Sequence, residues 1–158
     1  MVSCARLVAA FALLSSLSAC KETIDTADFV KEWACEAELP GYLYSRVLQY
    51  AKGGTMDGLV SIQSTDGAPS VVMNFQVEGT WALSGTRLDE TLSEQTLMRV
   101  TRGGENVPIT SLGAGVVPQV EARLKDEPWS FEISEFSSES MQMKDIAGGH
   151  VLYCQPTT

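Results

Sequence analysis

The sequence predicts a mainly β domain, with eight or nine short strands and one short helix near residues 116–126, arranged as an antiparallel barrel or sandwich. Three observations predict this. Apolar and polar residues alternate with period two through most of the body, glycine-containing turn signals recur between those runs, and one stretch alone has the four-residue spacing of a helix. A length of 158 residues suits one domain, and 44% hydrophobic with 20% charged residues is the composition of a folded chain.

The elements follow in order. Trp33, Cys35, Ala37 and Leu39 alternate with Ala34, Glu36 and Glu38, a half-buried strand that Pro40-Gly41 ends. Tyr42 to Ala51 is rich in aromatic and branched residues and suits a second strand, ended by Lys52-Gly53-Gly54. Leu59 to Ile62 is the next apolar run, and Asp66-Gly67 signals a hairpin. Val71, Met73, Phe75 and Val77 then alternate with Val72, Asn74 and Gln76. Gly79 is expected to turn the chain before Trp81 and Leu83, and Ser84-Gly85 to turn it again before Arg87 to Leu92. Leu97 to Thr101 is another short strand, ended by Gly103-Gly104.

Val116, Val120 and Leu124 recur every four residues with Pro118 in the first turn, which is the short helix. Alternation resumes at Trp129, Phe131 and Ile133, then at Met141 and Met143. Val151 to Cys154 follows Gly148-Gly149 as the last strand. Ahead of the body, Asp25 can cap a short helical turn near Asp25 to Lys31.

The formal net charge is −9. An acidic domain repels phosphate backbones, so nucleic acid is not the expected partner. The charge suits solubility, or an encounter with a basic protein.

The first nineteen residues do not belong to the fold. Arg6 precedes an apolar stretch from Leu7 to Leu14, too short to span a bilayer but suited to a signal peptide, and small residues follow it. Leu17-Ser18-Ala19-Cys20 resembles the lipobox of bacterial lipoproteins. The resemblance implies diacylglycerol on the Cys20 thiol, cleavage before Cys20 and acylation, palmitate included, of the new amine. It divides the chain into a signal peptide (1–19), a lipidated tether (20–30) and a β domain (31–158). In Gram-negative lipoproteins an Asp after the lipidated Cys retains the protein in the inner membrane. Lys21 stands here instead, which implies the cell envelope at the periplasmic face of the outer membrane. Cleavage removes Arg6 and no acid, so 10 of the 11 basic residues remain against 20 acidic ones, a net charge of −10.

Export places the domain in an oxidising compartment. Cys4 leaves with the signal and Cys20 carries lipid, so Cys35 and Cys154 are the pair expected to form a disulfide. Their Cα atoms must then lie within about 7 Å, which makes the first and last strands neighbours.

The order of features is similar to that of small lipocalin-like domains of exported bacterial proteins. The residues that carry the similarity are Trp33-Ala34-Cys35, the segment Gly79-Thr80-Trp81-Ala82-Leu83-Ser84-Gly85-Thr86-Arg87-Leu88, and Leu152-Tyr153-Cys154. The resemblance implies an antiparallel, up-and-down, partly open lipocalin-like barrel and no particular activity. No Gly-x-Trp occurs at the first strand, so a ligand cavity does not follow from it.

The side chains available for chemistry are few. His150, the lone histidine, follows Gly148-Gly149 and reads as a turn residue. Asp89 and Glu90 are adjacent on a strand and point to opposite faces, a poor acid–base pair. Gly53-Gly54 and Gly103-Gly104 lack the setting of a phosphate loop. Met141 and Met143 read as packing residues, and Trp33, Trp81 and Trp129 as core or barrel floor. Tyr42, Tyr44, Arg46 and Tyr50 share one parity. They form either a surface stripe or the candidate ligand or partner face, where Arg46 would meet an anion among aromatics.

The expected function is therefore that of a membrane-anchored envelope lipoprotein with a non-catalytic barrel, needing no cofactor or metal. It would bind a small apolar ligand or an envelope protein. The alternative is an inhibitor of a basic host enzyme such as lysozyme. Known lysozyme inhibitors carry a Ser-Gly-x-x-Tyr loop, from which Ser84-Gly85-Thr86-Arg87-Leu88 departs at its last residue. Replacing Cys20 with Ala is expected to leave the chain uncleaved or unanchored. Palmitate labelling and a carbonate wash check this, and a variant that still labels and still sediments with membranes removes the lipoprotein reading.

Overall fold

Alternation along the chain becomes one antiparallel sheet that closes on itself. The computed structural model describes residues 23–113, 117, 118, 121 and 128–157. The signal segment, the lipobox and Cys20 lie outside the described residues, as does most of the stretch 116–126 expected as a helix. Of that stretch, Val117, Pro118 and Glu121 are described and are helical. A four-residue helix α1 (Thr26–Phe29) precedes β1 (Glu32–Leu39), β2 (Tyr42–Tyr50), β3 (Thr55–Ser64), β4 (Val71–Ser84), β5 (Arg87–Arg102) and β6 (Glu105–Val107). A 3-10 turn (Ile109–Ser111), β7 (Trp129–Phe136), β8 (Met141–Asp145) and β9 (Val151–Pro156) complete the chain.

The strand order is β4-β3-β2-β1-β9-β8-β7-β5-β6, and β4 also pairs with β5. Eight strands therefore form a closed up-and-down barrel, with β6 as an extra edge strand on the far part of β5. The ladder runs all the way round. Its shortest seams are four residue pairs long, where β1 meets β9, where β8 meets β9 and where β5 meets β7.

Two differences from the sequence reading concern strand length. β4 has 14 residues and β5 has 16, where pairs of short strands were expected. Gly79 does not turn the chain. It sits at a register shift between β4 and β5, and a Cβ there would lie 2.3 Å from the Thr91 carbonyl oxygen. The glycine serves close strand approach at a bulge, which lets β4 run on.

The tether is also shorter than expected. Asp25 caps α1 by accepting a hydrogen bond from the Ala27 amide at 2.8 Å. Phe29 is fully buried, and Ile24 and Val30 pack against the core. Phe29 lies 4.8 Å from the Tyr50 ring, 5.2 Å from Trp81 and 6.2 Å from Phe136, centre to centre. Its carbonyl accepts from the Trp33 indole at 3.1 Å. This aromatic plug seals one end of the barrel, so the packed domain begins at Ile24 rather than Lys31.

Cys35 and Cys154 are direct cross-strand partners on β1 and β9 and form a disulfide, with Cα atoms 4.0 Å apart. The bridge joins the first strand to the last over a sequence separation of 119. Such a loop stabilises by about 4–5 kcal/mol in the chain-entropy account. Replacing both cysteines with Ser is expected to lower the thermal midpoint by roughly ten degrees or more, measured by circular dichroism. Two alkylatable thiols in the native exported protein would show that the bridge does not form.

Candidate functional site: the mouth of the barrel

The inward parity of β2 places Tyr42, Tyr44, Arg46, Leu48 and Tyr50 along the lumen, from the end opposite the plug down to the plug itself. Exposure falls along the row: Tyr42 is 44% exposed, Tyr44 half-buried, Arg46 2% and Tyr50 0% exposed. The stripe therefore faces inward, but only its first two members reach the opening.

Arg46 is committed to Glu90 on β5. Nη1 donates to Oε2 at 2.6 Å and Nη2 to Oε1 at 3.0 Å, a two-pronged ion pair with both side chains fully buried. The Tyr50 hydroxyl also donates to Glu90 Oε1, and Arg46 Nη2 approaches the Tyr50 oxygen at 3.2 Å and the Met143 sulfur at 3.7 Å. The Arg46 guanidinium carbon lies 4.9 Å from the Phe131 ring centre and 5.9 Å from that of Trp129. Burial by itself would lower the Arg46 pKa. The Glu90 carboxylate, through its charge and its hydrogen bonds, together with Tyr50 and Tyr44 outweighs it and holds Arg46 above the usual guanidinium range. Burial pushes the Tyr50 phenol well up, and the Tyr44 phenol up to about 12.

This pairing corrects the expectation that Arg46 would meet an anionic ligand. Its charge is cancelled by Glu90, and Trp129, Phe131 and Tyr44 lie between it and the opening. Asp89 and Glu90 do point to opposite faces. Asp89 is on the outside with Arg87, at 2.9 Å, and accepts from Ser130; Glu90 is inside. The sequence reading missed Glu90 as the partner of Arg46. A signal was present: Leu88, Glu90 and Leu92 share the inward parity, as do Tyr44, Arg46 and Leu48, so each row carries one charge of opposite sign.

Above the ion pair the lumen opens into a cavity of about 470 Å³. Leu39, Tyr44, Ile62, Met73, Trp129 and Leu152 form its apolar walls, with Tyr42 at the rim. Tyr44 and Trp129 meet edge to face at 6.1 Å. The β8–β9 turn brings Ala147 and His150 to the rim. The Asp145 carboxylate staples that turn by accepting from the Gly148 and Ala147 amides at 2.6 and 3.3 Å. The three tryptophans thus divide: Trp33 and Trp81 are core, and Trp129 walls the mouth. Met141 and Met143 are buried packing residues, as read from the sequence.

A second, outer groove of about 820 Å³ runs across β2, β1, β9 and β8. Its charged lining is Glu36, Glu38 and Glu135, with no basic side chain. Among the described residues no group of three or more His, Cys, Asp or Glu is placed to hold a metal ion. No protein-family model matches the chain, and neither does any curated protein.

Replacing Glu90 with Gln leaves the Arg46 charge buried without its counter-charge, and is expected to cost about 3–5 kcal/mol. The double replacement Arg46→Met, Glu90→Leu is expected to cost far less than the sum of its parts. Urea midpoints of Glu90→Gln, of the double variant and of its two single parts check this. The two buried phenols add an alkaline limit. A tyrosine with a raised folded pKa adds stability that is complete below its unfolded value, near 10, and is lost as pH rises through the folded value, about 12 for Tyr44.

Proposed function

We propose that the chain is a lipid-anchored envelope protein whose non-catalytic barrel holds a small, uncharged, apolar ligand in its mouth. The anchor is lipid on Cys20, at the periplasmic face of the outer membrane. Its support is the lipobox Leu17-Ser18-Ala19-Cys20. The ligand reading rests on one observation: the lumen is filled below Arg46 and Glu90 and open above them, over about 470 Å³ of apolar and aromatic wall. A cavity of that size lies within the range of small-molecule sites, roughly 300–1,000 Å³. The cancelled charge of Arg46 favours a neutral ligand, because an anion would be desolvated there without a counter-charge.

The outer groove favours a second reading, a contact surface for a basic protein partner such as lysozyme. Its carboxylates Glu36, Glu38 and Glu135 are unopposed by lining cations, which suits electrostatic encounter. A lysozyme assay at low salt with excess protein tests it, and undiminished activity removes it.

The mouth is tested with a neutral dye, N-phenyl-1-naphthylamine, against its anionic relative 8-anilinonaphthalene-1-sulfonate. The neutral dye is expected to bind saturably at one site and more tightly than the sulfonate. Ile62→Trp, which fills the cavity from β3, is expected to abolish that binding while leaving the thermal midpoint nearly unchanged. Absence of saturable neutral-dye binding, or binding unaffected in the Ile62 variant, overturns the ligand reading.

A further inference from the structure

The place where the chain enters the barrel fixes which end can face a membrane. The Ile24 amide donates to the Gly85 carbonyl in the β4–β5 turn, at 3.5 Å. From there the chain crosses the sealed end through α1, with Phe29 driven into the lumen, and continues into β1. Cys20 precedes Ile24 by four residue steps, about 14 Å at full extension. The mouth lies much farther off. Between Met73 in the mouth and Ser84 beside Gly85, β4 advances about 28 Å along the barrel axis, at about 3.3 Å per residue and the usual barrel tilt.

A tether of about 14 Å cannot carry its lipid past a wall of about 28 Å. Resting on the reading that Cys20 is lipidated, we infer that the sealed end is the membrane-facing end and that the mouth opens away from the anchoring bilayer. The burial of Phe29 and the packing of the half-buried Ile24 and Val30 against the core are what shorten the tether, since these residues are not available as slack. The ligand then enters and leaves through the aqueous phase, or from a donor facing the mouth. It does not partition directly from the bilayer that holds the protein.

The test uses the full-length lipidated protein in phosphatidylcholine vesicles whose headgroups carry a nitroxide. Two exposed positions are labelled with a fluorophore one at a time: Ser84→Cys at the sealed end and Asp66→Cys in the β3–β4 loop at the mouth. The native cysteines of the barrel are buried in their disulfide and do not compete for label. The label at position 84 is expected to lose most of its emission to the lipid nitroxide, and the label at 66 to keep it. A lipidated, vesicle-bound protein in which 66 is quenched as strongly as 84, or in which neither is quenched, overturns the orientation and leaves the anchor standing. A chain that carries no lipid overturns both.

Discussion

An arginine and a glutamate face each other across the inside of a hydrophobic barrel, and the arrangement of the lumen depends on that pair. Arg46 and Glu90 stand on β2 and β5, which are not neighbours in the sheet, so their ion pair spans the lumen and ties opposite walls. Neither charge tolerates that position without the other. A slip of either strand by one residue would turn its charge outward and strand its partner. The pair therefore demands the register that also sends Tyr44, Trp129 and Phe131 inward around it. It divides the barrel as well, with packed aromatics below and open apolar wall above.

The two ends are built by different means. At the sealed end a short helix contributes Phe29, whose ring meets Trp33, Tyr50, Trp81 and Phe136. A cluster of rings at these separations excludes water through burial and edge contacts rather than through hydrogen bonds. At the mouth the side chains are of similar apolar kind, but the polar atoms of Asp145 are spent on the backbone of the β8–β9 turn. The rim is thus held by its own turn chemistry and leaves the cavity wall to mainly apolar side chains, with the Tyr44 hydroxyl and the Trp129 indole N–H as polar exceptions.

Much of the architecture was legible in the sequence because a period of two is a direct record of which residues face inward. The run Trp33, Cys35, Ala37 gave β1 its face, and the two remaining cysteines gave the contact between the first and last strands. Gly79 misled because a glycine between two alternating runs looks the same whether the chain turns or bulges; only the opposing Thr91 carbonyl distinguishes the cases. The start of the domain was obscured because Asp25 to Val30 is short and mixed in polarity, and the burial of Phe29 depends on partners far along the chain. At the site, the inward direction of Tyr42 and Tyr44 was one of two open readings. The neutralising of Arg46 was not foreseen: one charge of opposite sign on each inward row was its trace, but the spacing within either row does not say which strands face each other across the lumen.

The seam between β5 and β7 carries one further consequence. It holds only the pairs from Arg87–Glu132 to Glu90–Trp129, and Trp129 is its last member on the mouth side. Beyond it the same edge of β5 has no strand partner until β6 at Val100–Arg102, and of the three four-pair seams this one alone has neither a disulfide nor a short connecting turn, so the wall there is a hinge line with few rungs. Local opening costs least where the fewest backbone hydrogen bonds must break. The mouth is therefore most readily adjusted along one edge: the Trp129 side of the rim can swing outward while the long β4–β5 ladder keeps its shape, so for the ligand proposed above the resting volume is a lower bound on the space at the rim.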